Sequence, residues 1–287
     1  MWEQICQRIH QVTGQPFELV DRRSVGGGCI NQGYRLVGRD LTYFVKLNRA
    51  EQWSMFEAEA LGLQHLLETH TIRIPAPICQ GVAESACYLV LEWLDLGRGS
   101  RSADREMGRQ LAHLHQFRKA TAFGWERDNT IGSTPQKNPW TADWATFWQE
   151  HRIGYQLELG RRRGGHFPQG DRLLDRIPAL LADHHPQPSL VHGDLWGGNA
   201  AVTAEGEPVI FDPATYWGDR EVDLAMTELF GGFSAEFYQG YNEVYPLDSG
   251  YESRKILYNL YHVLNHFNLF GGSYGGQADR MMAQLTR

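Results

Sequence analysis

One segment constrains this chain more than any other: His192-Gly193-Asp194-Leu195-Trp196-Gly197-Gly198-Asn199, followed by Phe211-Asp212-Pro213-Ala214. Asp194 and Asn199 lie five residues apart on a glycine-rich turn, and Asp212 comes thirteen residues after Asn199 at the end of a short apolar run. Phosphoryl transfer needs such a set. One carboxylate orients the attacking hydroxyl and accepts its proton, while an amide oxygen and a second carboxylate hold Mg²⁺ on the nucleotide phosphates. A turn rich in Gly, Asn and Asp would account for any one of these residues, but not for the ordered set. Asp194 is therefore the candidate catalytic carboxylate, Asn199 and Asp212 are the candidate metal ligands, and ATP with Mg²⁺ is the expected cofactor pair.

The residues upstream fit the same chemistry. Gly26-Gly27-Gly28-Cys29-Ile30-Asn31 is a glycine-rich loop, and glycines let backbone N–H groups approach phosphate oxygens with no Cβ in the way. It departs from the G-x-G-x-x-G of protein kinases. Its place ahead of a predicted strand at residues 34–37, and of a strand lysine, gives it weight as a nucleotide site. That lysine is Lys46, in a strand over residues 43–47 where Phe44 and Lys46 share one face and Tyr43, Val45 and Leu47 the other. A helix over residues 54–67 follows, with Ser54 and Glu57 spaced as a capping box. At about 100° per residue, Glu59 falls on the inward stripe with Phe56, Leu63, Leu66 and Leu67. Lys46 is expected to pair with Glu59, with Glu57 as the alternative. The apolar run Leu89-Val90-Leu91 leads into Glu92, Trp93 and Leu94, whose backbone is the candidate adenine-binding hinge.

Organisation follows from these placements. The chain has 287 residues, long enough for one large domain or two small ones. Residues 1–92 read as a small β-rich lobe, 93–95 as a hinge, and 96–287 as a larger, mainly helical lobe, so the expected fold is α+β and bilobal. Met107, Leu111 and Leu114 mark one helix, and Ile256, Leu257, Leu260, Leu264 and Phe267 another. Residues 121–139 read as a long loop, a length that points to function.

Twenty-seven basic against 34 acidic residues give a net charge of -7, with no basic block beyond Arg161, Arg162 and Arg163, which excludes a general nucleic-acid binder. No apolar stretch reaches about 18 residues, so no membrane span is expected. Cys6, Cys29, Cys79 and Cys87 show no metal spacing, and a reducing cytoplasm is the expected compartment. His262 and His266 are spaced i, i+4, as ligands can be, but lack the Glu of H-E-x-x-H, so a structural role is expected.

GGGCIN, FVKLN, FEAEALGL, LEWL, IGSTPQKN, HGDLWGGN, FDPATYWGDREVDLAM and FGGF, in that order, resemble the fructosamine kinase family, the ketosamine-3-kinases. These are small-molecule kinases related to aminoglycoside phosphotransferases and choline kinases. The resemblance covers about residues 26–276. It implies a protein-kinase-like fold and ATP-dependent phosphorylation of the sugar 3-hydroxyl of ketosamines, on free amines or on glycated protein lysines. The phosphorylated adduct then decomposes, a repair step. Ribulosamine, erythrulosamine and fructosamine remain open as substrates, and the chain as monomer or dimer. By motif match, Asp194 is the proton acceptor, Asn199 and Asp212 the Mg²⁺ ligands, Lys46 the phosphate lysine, and residues 92–94 the hinge. HGD for HRD, DPA for DFG and the lack of an APE segment are the marks of the small-molecule branch. An aminoglycoside- or choline-type alcohol kinase and a nucleotide-binding pseudokinase are the competing readings.

A ketosamine is a polyol carrying an amine. Trp196 could stack on the sugar, Asp219 or Glu221 could meet the ammonium, and residues 129–138 are a further candidate lip for the substrate. Asp223 is expected to brace the catalytic loop. Cys29, beside backbone amides and Lys46, is a candidate redox handle because that setting lowers a thiol pKa.

Overall fold

Alternation along the strands builds the first layer. In β3 (Thr42–Arg49), Tyr43, Val45 and Leu47 point into one core, shared with Ile5 and Ile9 of helix α1 (Trp2–Thr13). Strand β5 (Ala86–Glu92) is buried on both faces: Tyr88 and Val90 join that core, while Cys87, Leu89 and Leu91 join the larger one. With β1 (Asp21–Val25), β2 (Gln32–Val37) and β4 (Pro77–Ala83) these form a five-stranded antiparallel sheet in the order β1-β2-β3-β5-β4. Helix α2 (Trp53–Leu67) lies against the face opposite α1 and buries Phe56, Leu63 and Leu66. The computed structural model describes residues 1–26 and 30–287. Gly27, Gly28 and Cys29 lie outside the described residues, and with them the redox reading of Cys29 and part of the glycine loop.

The expected capping box does not form. A 3₁₀ turn (Ala50–Gln52) runs straight into α2, its Ala50 carbonyl accepting from Trp53 N–H, so Ser54 is already inside the helix and no side chain caps it.

From β5 the chain passes through residues 92–95 into a mainly helical part. Helix α3 (Arg101–Gln116) is capped by Ser100, whose hydroxyl accepts from Ala103 N–H. The expected long loop at 121–139 instead contains a hairpin, β6 (Asn129–Ile131) with β7 (Thr134–Gln136). Next come α4 (Trp144–Trp148), a π-helical turn (Gln149–Gly154), α5 (Tyr155–Arg162) and α6 (Gly170–Leu180). Four short strands, β8 (Ser189–Val191), β9 (Ala200–Val202), β10 (Pro208–Ile210) and β11 (Tyr216–Gly218), pair as β8 with β11 and β9 with β10. Helices α7 (Glu221–Leu229), α8 (Ala235–Val244), α9 (Tyr251–Phe270) and α10 (Tyr274–Leu285) complete the chain. The 20-residue α9 sends Leu257, Tyr258, Leu260, Tyr261 and Leu264 into the larger core. Among the described residues no helix is long and apolar enough to cross a membrane.

Candidate active site

The loop between β8 and β9 carries Asp194, and its shape depends on Gly193. Gly193 has φ +83°, and a Cβ there would lie 2.2 Å from the Ala214 carbonyl oxygen, so no side chain fits. Asp223 of α7 fixes the loop from beneath, as expected. Its two carboxylate oxygens accept from His192 N–H (2.7 Å) and Gly193 N–H (2.8 Å), and His115 Nε2 lies 3.0 Å away. Burial alone would raise the Asp223 pKa. The hydrogen bond and charge of His115, with His192 and the Gly193 amide, bring it below the usual value.

His192 knits the two halves of the motif together. Its Nε2 meets the Phe211 carbonyl at 2.9 Å and its Nδ1 accepts from Asp194 N–H at 3.3 Å. That arrangement needs the neutral imidazole, and burial pushes its pKa down accordingly. Asn199 Nδ2 donates to the Asp194 carbonyl at 2.8 Å and lies 3.4 Å from both Asp194 Oδ2 and the Asp212 carbonyl. With Nδ2 so committed, Oδ1 is the atom left to act as a ligand.

Asp212 has φ +59°, a left-handed conformation that costs a non-glycine residue about 1–3 kcal/mol. Its Oδ1 lies 2.6 Å from Lys46 Nζ, while its side chain is 45% exposed. Lys46 also pairs with Glu59, and the side chains of both residues are buried. Burial alone would lower the Lys46 pKa, but the Asp212 and Glu59 carboxylates more than reverse this and keep the ammonium protonated. Glu57, the alternative partner, faces Arg127 instead, at 3.4 Å. Asp194 titrates unusually high, pushed up to about 7 by desolvation and then by the Asp212 charge. A carboxylate tuned to that range suits proton acceptance near neutral pH. The Asn199 amide oxygen and the Asp212 carboxylate are hard oxygen donors, the type that holds Mg²⁺.

The remaining candidates divide. Asn48 Nδ2 donates to Asn31 Oδ1 (2.7 Å) and lies 3.4 Å from the Ile30 carbonyl, tying the far stem of the glycine loop to β3. Gly26 ends the near stem, and among the described residues nothing lies within 4 Å of where a Cβ would project. At the hinge, Glu92 N–H donates to the Ala76 carbonyl (2.9 Å), and the Glu92 side chain pairs with Arg73. Glu92 N–H is therefore unavailable to an adenine, which leaves the Glu92 carbonyl and the backbone of Trp93 and Leu94 as the hinge groups. Trp93 is held by Arg35 over its ring at 4.6 Å and by its own Nε1 donating to Asp95 at 2.8 Å. Trp196 is 40% exposed beside Asp194, and its indole lies over Gly198, where a Cβ would meet the ring at 2.3 Å.

Asp219 and Glu221 are not substrate-facing. Both are buried. Asp219 accepts from Tyr258 O–H (2.6 Å) and meets His184 Nε2 (2.7 Å), while both Glu221 oxygens accept from Arg254 at 2.7 Å. Burial alone would lower the His184 pKa, but the Asp219 hydrogen bond and charge raise it. His184, Asp219 and Glu221 bring three ligand-type atoms within 4.8 Å of one another, but the Arg254 guanidinium already supplies the cation. Within residues 129–138, Ser133, Pro135 and Lys137 are exposed and the tip at Gly132 faces Ile30 of the glycine loop, while Asn129, Gln136 and Asn138 are buried. They form a polar network that the sequence did not announce. It includes Arg152 from the π-helical turn, which donates to the Lys137 carbonyl (2.6 Å) and Asn138 Oδ1 (2.8 Å), with its guanidinium 4.1 Å from the Tyr216 ring. His262 is buried, and its carbonyl lies 2.8 Å from His266 Nδ1, a backbone contact rather than a metal site.

Comparison with known proteins agrees with this geometry. The profile of the fructosamine kinase family matches residues 1–287. A probable ketoamine kinase of Synechocystis is 60% identical over 286 residues, covering 100% of this chain and 97% of the relative. The chloroplastic protein-ribulosamine 3-kinase of Arabidopsis thaliana is 44% identical over 279 residues, 96% of this chain and 85% of the relative. A crystal structure of a putative fructosamine-3-kinase from Haemophilus somnus superposes with a TM-score of 0.94 at 33% identity, covering 100% of this chain and 98% of that one. The α+β, bilobal, kinase-like fold expected from the sequence is therefore the fold of this protein, and the chain belongs to the fructosamine kinase family.

Proposed function

We propose that this protein transfers the terminal phosphoryl group of ATP to the sugar 3-hydroxyl of a ketosamine, free or on a glycated protein lysine. The observation that carries this reading is the meeting of Asp194, Asn199, Asp212, Lys46 and Glu59, drawn from three separate stretches of chain. Relatives named ketoamine kinase and protein-ribulosamine 3-kinase support the choice of substrate class. Residues 1–92 act as the nucleotide-covering lobe, 93–95 as the hinge and 96–287 as the substrate lobe.

Asp194 orients the attacking hydroxyl and takes its proton as the O–P bond forms; the leaving oxygen departs with ADP. Its raised pKa matches that task. Lys46, held protonated and aimed by Glu59, neutralises phosphate charge. Asn199 Oδ1 and Asp212 would hold Mg²⁺, which would spread the charge that develops on the phosphates. Trp196, exposed beside Asp194, offers a flat face to the sugar.

The test is ATP consumption with ribulose-lysine, erythrulose-lysine and fructose-lysine, each product being checked for a 3-phosphate. Turnover on any of them supports the reading and ranks the sugars. Turnover on choline or an aminoglycoside, with none on the three adducts, overturns the substrate class and keeps the kinase.

A further inference from the structure

We infer that Gln136 is a positioning residue for Asp212, acting from the β6–β7 hairpin through the backbone that follows the aspartate; this rests on the metal-binding role proposed above for Asp212. The strained conformation of Asp212 needs anchors on both sides. Upstream, Phe211 N–H donates to the Asn199 carbonyl at 3.0 Å, and the Phe211 carbonyl meets His192 Nε2 at 2.9 Å. Both anchors come from the catalytic loop itself. Downstream, Ala214 N–H donates to the His192 carbonyl at 2.9 Å, and the Ala214 carbonyl accepts from Gln136 Nε2 at 3.1 Å. Asn129, across the hairpin, donates through Nδ2 to the next carbonyl, that of Thr215, at 2.9 Å.

Gln136 is itself fully determined. Its second Nε2 hydrogen goes to Asn129 Oδ1 at 2.9 Å, and its Oε1 accepts from Tyr261 O–H at 2.7 Å. Asn129 Oδ1 also accepts from Asn138 Nδ2 at 2.8 Å, and Asn138 Oδ1 from Arg152. Every member is buried, so each lost partner leaves an unmet polar group in a low-dielectric setting. The network reaches the metal-ligand segment from β7, α9 and the π-helical turn at once. It touches neither Asp212 nor Asp194 directly, so its effect must pass through the 212–215 backbone. Losing a group bonded directly to a metal ligand typically costs about 10–100-fold in metal affinity, and an anchor that acts through the backbone two residues away is expected at the lower end of that range.

The test compares ADP binding by calorimetry with excess Mg²⁺ and with EDTA, in the whole protein and in Gln136→Met, Tyr261→Phe and Asp212→Asn. In the unaltered protein Mg²⁺ is expected to tighten ADP binding, and Asp212→Asn to abolish that gain. Gln136→Met is expected to leave metal-free ADP affinity unchanged and to lose about tenfold of the Mg²⁺-dependent gain. Tyr261→Phe, which frees Gln136 Oε1 and removes the Tyr261 hydroxyl from Gln156, should lose less in the same direction, and it carries the test if Gln136→Met does not fold. An undiminished Mg²⁺ gain in folded Gln136→Met, or in Tyr261→Phe if that variant stands alone, overturns the positioning role. So does an equal loss of metal-free affinity, which would indicate general damage. If Asp212→Asn keeps the gain, the metal-binding reading of Asp212 itself has failed.

Discussion

Lys46 and Asp212, 166 residues apart in the chain, meet at 2.6 Å, and the same ammonium holds Glu59. The contact joins the sheet to the segment after β10, so folding itself assembles this part of the candidate site.

Removing Lys46 should therefore cost stability as well as activity. Lys46→Met leaves Glu59 buried with no cation, a loss of about 3–5 kcal/mol when one member of a buried pair is deleted. Urea denaturation reads it. The double variant Lys46→Met/Glu59→Leu should recover most of that stability and none of the turnover.

The Asp194 carboxyl carries a pH signature with a definite sign. Its pKa rises from 3.8 unfolded to about 7 folded, so the native state binds the extra proton between those values. Stability should then fall as pH rises from about 4 to 7, and Asp194→Asn should lack this contribution. Denaturation midpoints of the two proteins across that range give the difference. The acidic limb of kcat/KM should fall near pH 7, because only the ionised carboxylate accepts a proton.

Arg254 tests the correction at Glu221. Arg254→Met should destabilise by about 3–5 kcal/mol, since it strands a buried carboxylate. KM for the ketosamine should be unchanged in the folded fraction. A large rise in KM without loss of thermal stability would return Glu221 to the substrate site.

Gly193 admits no substitution. Gly193→Ala places a methyl 2.2 Å from the Ala214 carbonyl oxygen and forces alanine to φ +83°. Turnover should drop by at least about tenfold with a lowered melting temperature, both readable on purified protein.

The parts of the site governed by local periodicity were legible in the sequence. Strand alternation put Lys46 on the face away from Tyr43 and Val45, and the helical step chose Glu59 over Glu57. The order of Asp194, Asn199 and Asp212 was legible because their spacing is short. What escaped were partners far along the chain. Glu221 looked like a free acid because Arg254, which takes both its oxygens, lies 33 residues away. Gln136 sat in a run read as a substrate lip, because its partners Ala214 and Tyr261 are 78 and 125 residues distant. Ser54 satisfied the capping pattern, but the preceding 3₁₀ turn runs into the helix and its Ala50 carbonyl accepts from Trp53 N–H. Composition and spacing hold no trace of such long-range polar pairing.

The most direct measurement is turnover of ribulose-lysine by Asp194→Asn beside the unaltered enzyme, with ADP binding followed in both. The account predicts a fall of about 10²–10⁴ in kcat with nucleotide affinity retained. A variant that kept the full rate would contradict it.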